Sequence, residues 1–290
     1  MHPAPSIIAF TTLSGLGLGL LAFLGFGVVV PRGLLAFLWF GLGYGLTLAG
    51  LAASALHLGH PERALRAFTQ WSTSWLSREA VLSAAALLVM APYAVGLVFW
   101  GHALPGVGVV AAVLCLLTVL ATAMIYAQLR TVPRWNHWTT PLVFLTAALT
   151  GGALLSTQTL LAQMLLPWLA VAFALHWMLG DRQFARRGST LGTATGLGAL
   201  GSTRLLEPPH TGSNYLLKEM VYVVARRHAL KLRAIALVLA CILPALLLWT
   251  LPGWPALTLA VISHILGLLT ARWLFFAEAE HTVGLYYGQR

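Results

Sequence analysis

Apolar runs long enough for a helix to cross about 30 Å of hydrocarbon recur along this chain, at 6–30, 33–58, 79–100, 106–126, 141–160, 163–180, 234–251 and 255–277. At that depth no water reaches the backbone, so its polar groups must be satisfied inside helices. Composition excludes a soluble globule: 59% of the 290 residues are hydrophobic and only 8% are charged, against about 25% in ordinary soluble domains. The expectation is an all-α polytopic membrane protein with eight transmembrane helices. It forms a single integral membrane domain over residues 1–290, with one long polar connection at 181–233. Pro31-Arg32-Gly33, Gly101 through Gly106 and Pro252-Gly253-Trp254-Pro255 punctuate the shorter links. The opening Met1-His2-Pro3-Ala4-Pro5 has no basic region and no small-residue cleavage site, so the first helix is expected in the mature protein.

The net charge of +10 would point to nucleic acid in a soluble protein. In a membrane protein, basic residues instead collect in loops on one side and orient the chain. With eight spans, the N-terminus, the connections 2–3, 4–5 and 6–7, and the C-terminus share a side, and that side holds every Lys and Arg except Arg32. Both termini are therefore expected in the cytoplasm, and the protein in a bacterial inner membrane, with lipid and no nucleic acid as its surroundings. Cys115 and Cys241 sit inside apolar runs with no CxxC spacing, which gives no metal site and no protein-held cluster. Gly15, Gly17, Gly19, Gly41, Gly43, Gly151 and Gly152 are expected to let helices approach closely.

Seven residues are acidic, and a carboxylate at the membrane border is costly enough to need a reason. Glu79 follows Ser77-Arg78 at the start of the third span. It has a plain explanation, in which Ser77 caps the helix and the helix dipole favours the carboxylate. A functional explanation starts from His57, in the last turn of span 2, which faces the same surface as Glu79. The link between them carries Arg63, Arg66, Phe68, Trp71 and Trp75, side chains suited to the headgroup level. An imidazole that donates to a ring oxygen and a carboxylate that exchanges a proton are what a quinone site needs. On chemistry alone both explanations stay open.

Other polar features carry less. His176 and His264 are each a possible axial ligand, but no helix carries the paired histidines of a two-haem cytochrome. No haem is expected, and hydrogen-bonded core histidines are preferred. The Gly188–Gly201 stretch lacks the lysine of a phosphate loop and is no nucleotide site. From Tyr215 to Arg233 the pattern is helical and basic, fit to lie on anionic lipid or to dock an acidic partner.

Three stretches carry a family resemblance. Ala53-Ser54-Ala55-Leu56-His57-Leu58-Gly59-His60-Pro61-Glu62-Arg63-Ala64, followed by Leu76-Ser77-Arg78-Glu79-Ala80, resembles the link between spans 2 and 3 in the membrane anchor subunits of dimethyl sulfoxide reductase. Tyr126, Thr131-Val132-Pro133-Arg134-Trp135 and Thr140-Pro141 resemble that family's link between spans 4 and 5. Arg272-Trp273-Leu274-Phe275-Phe276 with Thr282-Val283-Gly284 resembles its last helix, and the order holds over almost the whole chain.

The resemblance implies an anchor that passes electrons between a quinone pool (ubiquinone or menaquinone) and an iron–sulfur subunit with four clusters, itself paired with a molybdopterin catalytic subunit. It also implies that His57 and Glu79 are the quinone-site pair. Arg63, Arg66, Tyr126, Arg130, Arg134, Trp135 and Arg272 are further candidates for the pocket or the docking surface. The opening Met1–Gly15 and the ending from Arg272 to Tyr287 resemble a branch attached to cytoplasm-facing sulfite-oxidising molybdoenzymes. In that branch the anchor reduces quinone. The alternative is a dimethyl sulfoxide reductase anchor that oxidises menaquinol. Two further classes remain, a passive anchor and a secondary transporter, although the halves 1–140 and 141–290 show no convincing repeat.

Overall fold

The structure, a computed structural model, describes residues 2–56, 60–207, 209, 210, 212, 214–220 and 228–288. Within these residues the regular structure is helical and no strand occurs. The main elements are α1 (Pro5–Gly25), α2 (Leu34–Ala55), α3 (Trp75–Val95), α4 (Pro105–Ala127), α5 (Thr139–Leu155) and α6 (Thr159–Arg187). They continue with the short α7 (Leu191–Thr195), then α8 (Ala229–Leu237), α9 (Leu243–Thr250) and α10 (Trp254–Ala277). A π turn at Val238–Ile242 joins α8 and α9 into one rod. Seven helices are long and apolar enough to cross a membrane, while α5 is apolar but only 17 residues long.

The most deeply buried of these is α1, against which α2, α4, α5 and α10 pack. Its glycines explain the arrangement. A Cβ on Gly17 would strike Thr47 and the Gly43 carbonyl of α2, one on Gly19 the Ala148 backbone of α5, and one on Gly25 the Gly108 carbonyl of α4. Three helices thus approach α1 at backbone contact, which gives dispersion contacts that lipid cannot match. Gly15 and Gly41 meet nothing and play no such part.

One helix irregularity follows from proline. Pro244 has no N–H to give the Ala240 carbonyl one turn earlier. That carbonyl accepts from His264 Nδ1 (2.7 Å) instead, and the neighbouring Leu239 carbonyl accepts from Ser263 Oγ (2.8 Å). His264 is therefore the hydrogen-bonded core histidine of a π turn. Pro92 lies inside α3, just before the π turn Gly96–Trp100 that ends it.

Several sequence-based ends shift: the first helix stops at Gly25 instead of 30 and the fifth at Leu155 instead of 160. Helix α3 begins at Trp75 with Ser74 as its cap, accepting from Ser77 N–H, so the expected cap Ser77 lies inside the first turn. Ser77 Oγ accepts instead from the Gln70 N–H, which folds the preceding loop back on the helix. Helix α6 runs to Arg187, past the apolar boundary at 180, because its charged last turns face a polar surface. Ala229–Arg233, expected in the connection, is continuous with the seventh span.

Hydrogen bonds sort the bundle into two ends. At one end Thr282 N–H donates to Thr131 O, tying the chain beyond α10 to the α4–α5 connection. At the opposite end Gly33 N–H donates to Leu97 O, joining α2 to the close of α3. The first is called the basic end, since Arg130, Arg134, Arg182, Arg186, Arg187 and Arg233 lie there.

Candidate functional site

Near the basic end, Glu79 in the second turn of α3 points into the bundle with only 4% of its surface exposed. The hydroxyl of Thr122 on α4 donates to its Oε1 at short range, with the Thr118 carbonyl, 3.0 Å from the same oxygen, as the alternative acceptor of that one proton. Thr118, Thr122 and Tyr126 stand at four-residue steps, so one face of α4 carries two hydroxyls and a phenol. Among the described residues no cation lies within ion-pair distance of Glu79. A buried carboxylate without a counter-ion is expensive as an anion and suited to hold a proton.

Tyr126, one turn beyond Thr122, lies within electrostatic reach of both Glu79 and Arg272. Its ring packs edge-on against Trp135 (5.3 Å), Phe275 (5.4 Å) and Phe276 (5.4 Å). Trp135 is stacked on Phe275 at 5.3 Å and donates its indole N–H to the Phe275 carbonyl (2.9 Å). The α4–α5 connection is thereby held under the end of α10. Arg272 of α10 is also 4% exposed, with its guanidinium 3.6 Å above the Phe144 ring. Among the described residues it faces no carboxylate at ion-pair distance.

A second polar group lies beside the first. His176 on α6 is 3% exposed, stacks on Phe275 at 5.6 Å, and has Nδ1 at 3.0 Å from Thr139 Oγ1. Thr139 Oγ1 is in turn 3.0 Å from His137 Nδ1, at the partly exposed rim. Partial burial, and then the charge of Arg186, hold the His137 pKa below the ordinary histidine value. Further out, Arg233 donates to Glu278 Oε1 (2.8 Å) and to both Asp181 oxygens (2.8 and 2.7 Å). Arg134 reaches Glu278 Oε2 (3.3 Å) and, at short range, Asp181 Oδ1. Two guanidiniums and two carboxylates from four segments thus neutralise one another.

Of the expected residues, the structure brings Glu79, Tyr126, Trp135 and Arg272 to one place. Arg134 is engaged in the ion quartet, while Arg63, Arg66 and Arg130 are exposed at the basic end and face away from that interior. His57 lies outside the described residues, as do Arg226, Arg227 and Arg290. Sequence reasoning missed Thr122, although its four-residue spacing from Tyr126 is visible in the chain. The Thr139–His176 contact and the quartet have no sequence signal, because their members are 37 to 144 residues apart.

This set suits a quinone head group: a proton-holding carboxylate, a phenol, a cation and flat aromatic faces beside an apolar interior. Residues 2–288 match the family described as DMSO reductase anchor subunit (DmsC). The chain is 32% identical to one of the subunits of sulfite dehydrogenase from Allochromatium vinosum, over 99% of this chain and 99% of that protein. No solved structure matches it. A helical bundle apolar enough for a membrane, with its polar groups gathered near one end and a family match over nearly its full length, is a membrane anchor subunit of the DMSO reductase anchor family.

Proposed function

We propose that this chain is the quinone-reactive anchor of a three-subunit molybdopterin and iron–sulfur oxidoreductase in a bacterial inner membrane. In this reading it spans the membrane eight times with both termini cytoplasmic. Helix α5 is the eighth span: its first residues touch His137 at the basic end, and its last line a groove with Trp254 at the other. The observation that carries the function is Glu79, buried, bonded by Thr122 and without a counter-ion among the described residues, with Tyr126 within electrostatic reach of both Glu79 and Arg272.

A bound quinone supplies two-electron, two-proton redox chemistry. Glu79 holds or gives up a proton at its carboxylate, and Thr122 fixes the orientation of that carboxylate. His57, which the sequence puts in the last turn of span 2, would donate a hydrogen bond to a ring oxygen. Tyr126, Trp135, Phe275 and Phe276 exclude water and present flat apolar faces. Electrons arrive from the four-cluster iron–sulfur partner docked on the basic end, where the exposed Arg63, Arg66 and Arg130 favour an acidic surface.

The likeness to the sulfite dehydrogenase protein favours sulfite as the substrate of the catalytic partner and quinone reduction as the direction. The family description favours the reverse, a menaquinol-oxidising anchor for dimethyl sulfoxide reduction. Purification of the complex and assay of sulfite-dependent decylubiquinone reduction decides between them. With the assembled complex, Glu79→Gln is expected to lower turnover about a hundredfold, the usual contribution of a positioned proton-transfer group. His57→Phe should cost about tenfold, one good hydrogen bond. Unchanged turnover in both variants overturns the site.

A further inference from the structure

Three groups form a chain of hydrogen bonds that the quinone chemistry above does not use. His137 at the rim, Thr139 at the first turn of α5 and His176 on α6 are linked through Thr139 Oγ1, at 3.0 Å to each ring nitrogen. One hydroxyl proton can serve only one of the two nitrogens, so one imidazole must donate to Thr139 while the other accepts. The Thr139 backbone N–H, 3.4 Å from His137 Nδ1, favours His137 as the acceptor. The chain is therefore polarised, and its polarity inverts whenever a proton passes.

The inner end is open. His176 Nε2 is buried with no hydrogen-bond partner. His176 and Arg272 line one cavity between α5, α6 and α10, otherwise walled by Val143, Phe173, Leu268 and Phe275. Its volume is about 10 Å³, near the lower limit for one water, and a buried water needs at least two polar partners. His176 Nε2 is one, and Arg272, which also lines the cavity, is the other polar residue there. Tyr126 lies within electrostatic reach of both Arg272 and Glu79. The charged and titratable groups acting on His176 are Arg134 from the α4–α5 connection, Arg272 from α10, His137 and Arg233 from α8.

Resting on the quinone-site reading, we propose that His137, Thr139 and His176 form a proton relay from the aqueous basic end to the Arg272–Tyr126–Glu79 group, completed by one water in the His176–Arg272 cavity. Reduction of one quinone consumes two electrons, supplied by the partner's iron–sulfur clusters, and two protons from the aqueous phase. The polarity set by the Thr139 N–H is that of outward passage, as quinol oxidation needs: a proton from the cavity water binds His176 Nε2, the His176 Nδ1 proton moves to Thr139 Oγ1, the hydroxyl proton moves to His137 Nδ1, and His137 releases its Nε2 proton to solvent. For quinone reduction the hydroxyl and the rings first turn over, so that His137 donates from Nδ1 and His176 accepts at Nδ1. A solvent proton then binds His137 Nε2, the chain shifts inwards by one proton at each link, and the Nε2 proton of His176 passes by the cavity water to the Glu79 carboxylate once that has given its own proton to the quinone.

The test uses the purified complex, with reduced methyl viologen as electron donor and decylubiquinone as acceptor. Thr139→Val keeps the shape and removes the link. It is expected to lower kcat about tenfold, a fraction of full general acid–base catalysis, with KM for decylubiquinone unchanged and a larger solvent deuterium isotope effect. Thr139→Ser should recover most of the rate. Should the valine variant fail to assemble, His137→Ala serves: rescue of its rate by added imidazole supports the relay, and a low rate without rescue overturns it. Wild-type rate and isotope effect in Thr139→Val, with Glu79→Gln inactive, overturn the relay and leave the quinone site standing. Full activity of Glu79→Gln overturns the site reading and the relay with it.

Discussion

Thr122 shows what one hydroxyl does at this depth. Its one proton goes to Glu79, with the carbonyl one turn earlier as the alternative acceptor, so the hydroxyl holds the carboxylate without becoming a loose polar atom of its own. Thr122→Val preserves the shape and leaves the carboxyl group without that partner, a loss of about 0.5–1.5 kcal/mol for a hydrogen bond to a neutral group. The expected result is a fall in quinone-coupled turnover of up to about tenfold, with assembly intact, checked by assaying the complex and measuring subunit stoichiometry. Wild-type turnover would show that Glu79 does not rely on α4. That Glu79 calls for an explanation was legible in the chain, since a lone carboxylate opening an apolar run needs a reason. Its partner was not, because a threonine in a greasy helix looks like any other small residue until α4 is laid against α3.

At the scale of helices, close approach rests on glycine. A Cβ at Gly152 would lie 2.5 Å from the Gly19 backbone, where α1 and α5 cross. Gly152→Ala is expected to push those helices apart at a cost of about 1–3 kcal/mol, seen as a lower midpoint in thermal unfolding followed by tryptophan fluorescence. Gly41→Ala is the matched control, because a Cβ there meets nothing, and it should leave the midpoint in place. Glycine-rich helices were evident from the sequence as packing surfaces, but not which glycines pack. Both Gly15 and Gly17 sit in the same run, and only helix rotation decides that Gly17 meets α2. The extension of α6 to Arg187 was likewise hidden, since hydropathy marks where a helix leaves lipid and not where it ends.

Across the whole molecule, the ion quartet of Arg134, Asp181, Arg233 and Glu278 closes the basic end by tying the α4–α5 connection, α6, α8 and the end of α10 together. Glu278 is 3% exposed, so removing its charge leaves two guanidiniums with only the half-exposed Asp181. Glu278→Gln is expected to cost about 3 kcal/mol, the penalty of breaking a buried pair, and Glu278→Gln with Arg233→Gln should recover part of it. Unfolding midpoints of both variants in one detergent check this, and a double variant worse than the single would sink the account.

The sequence by itself determined the solvent of this protein, its helical class, its family likeness and the polarity of its charges. Those properties are set by apolar run length and by residue order along one chain, which need no folding to be read. Only the tertiary structure decided that Glu79 meets Thr122, that His264 serves the π turn made by Pro244, and that His137, Thr139 and His176 join in one chain. Each of these depends on helix rotation and depth. In a membrane, where every face is apolar, hydrophobic periodicity does not encode rotation, and close packing of small residues and a few buried polar contacts settle it.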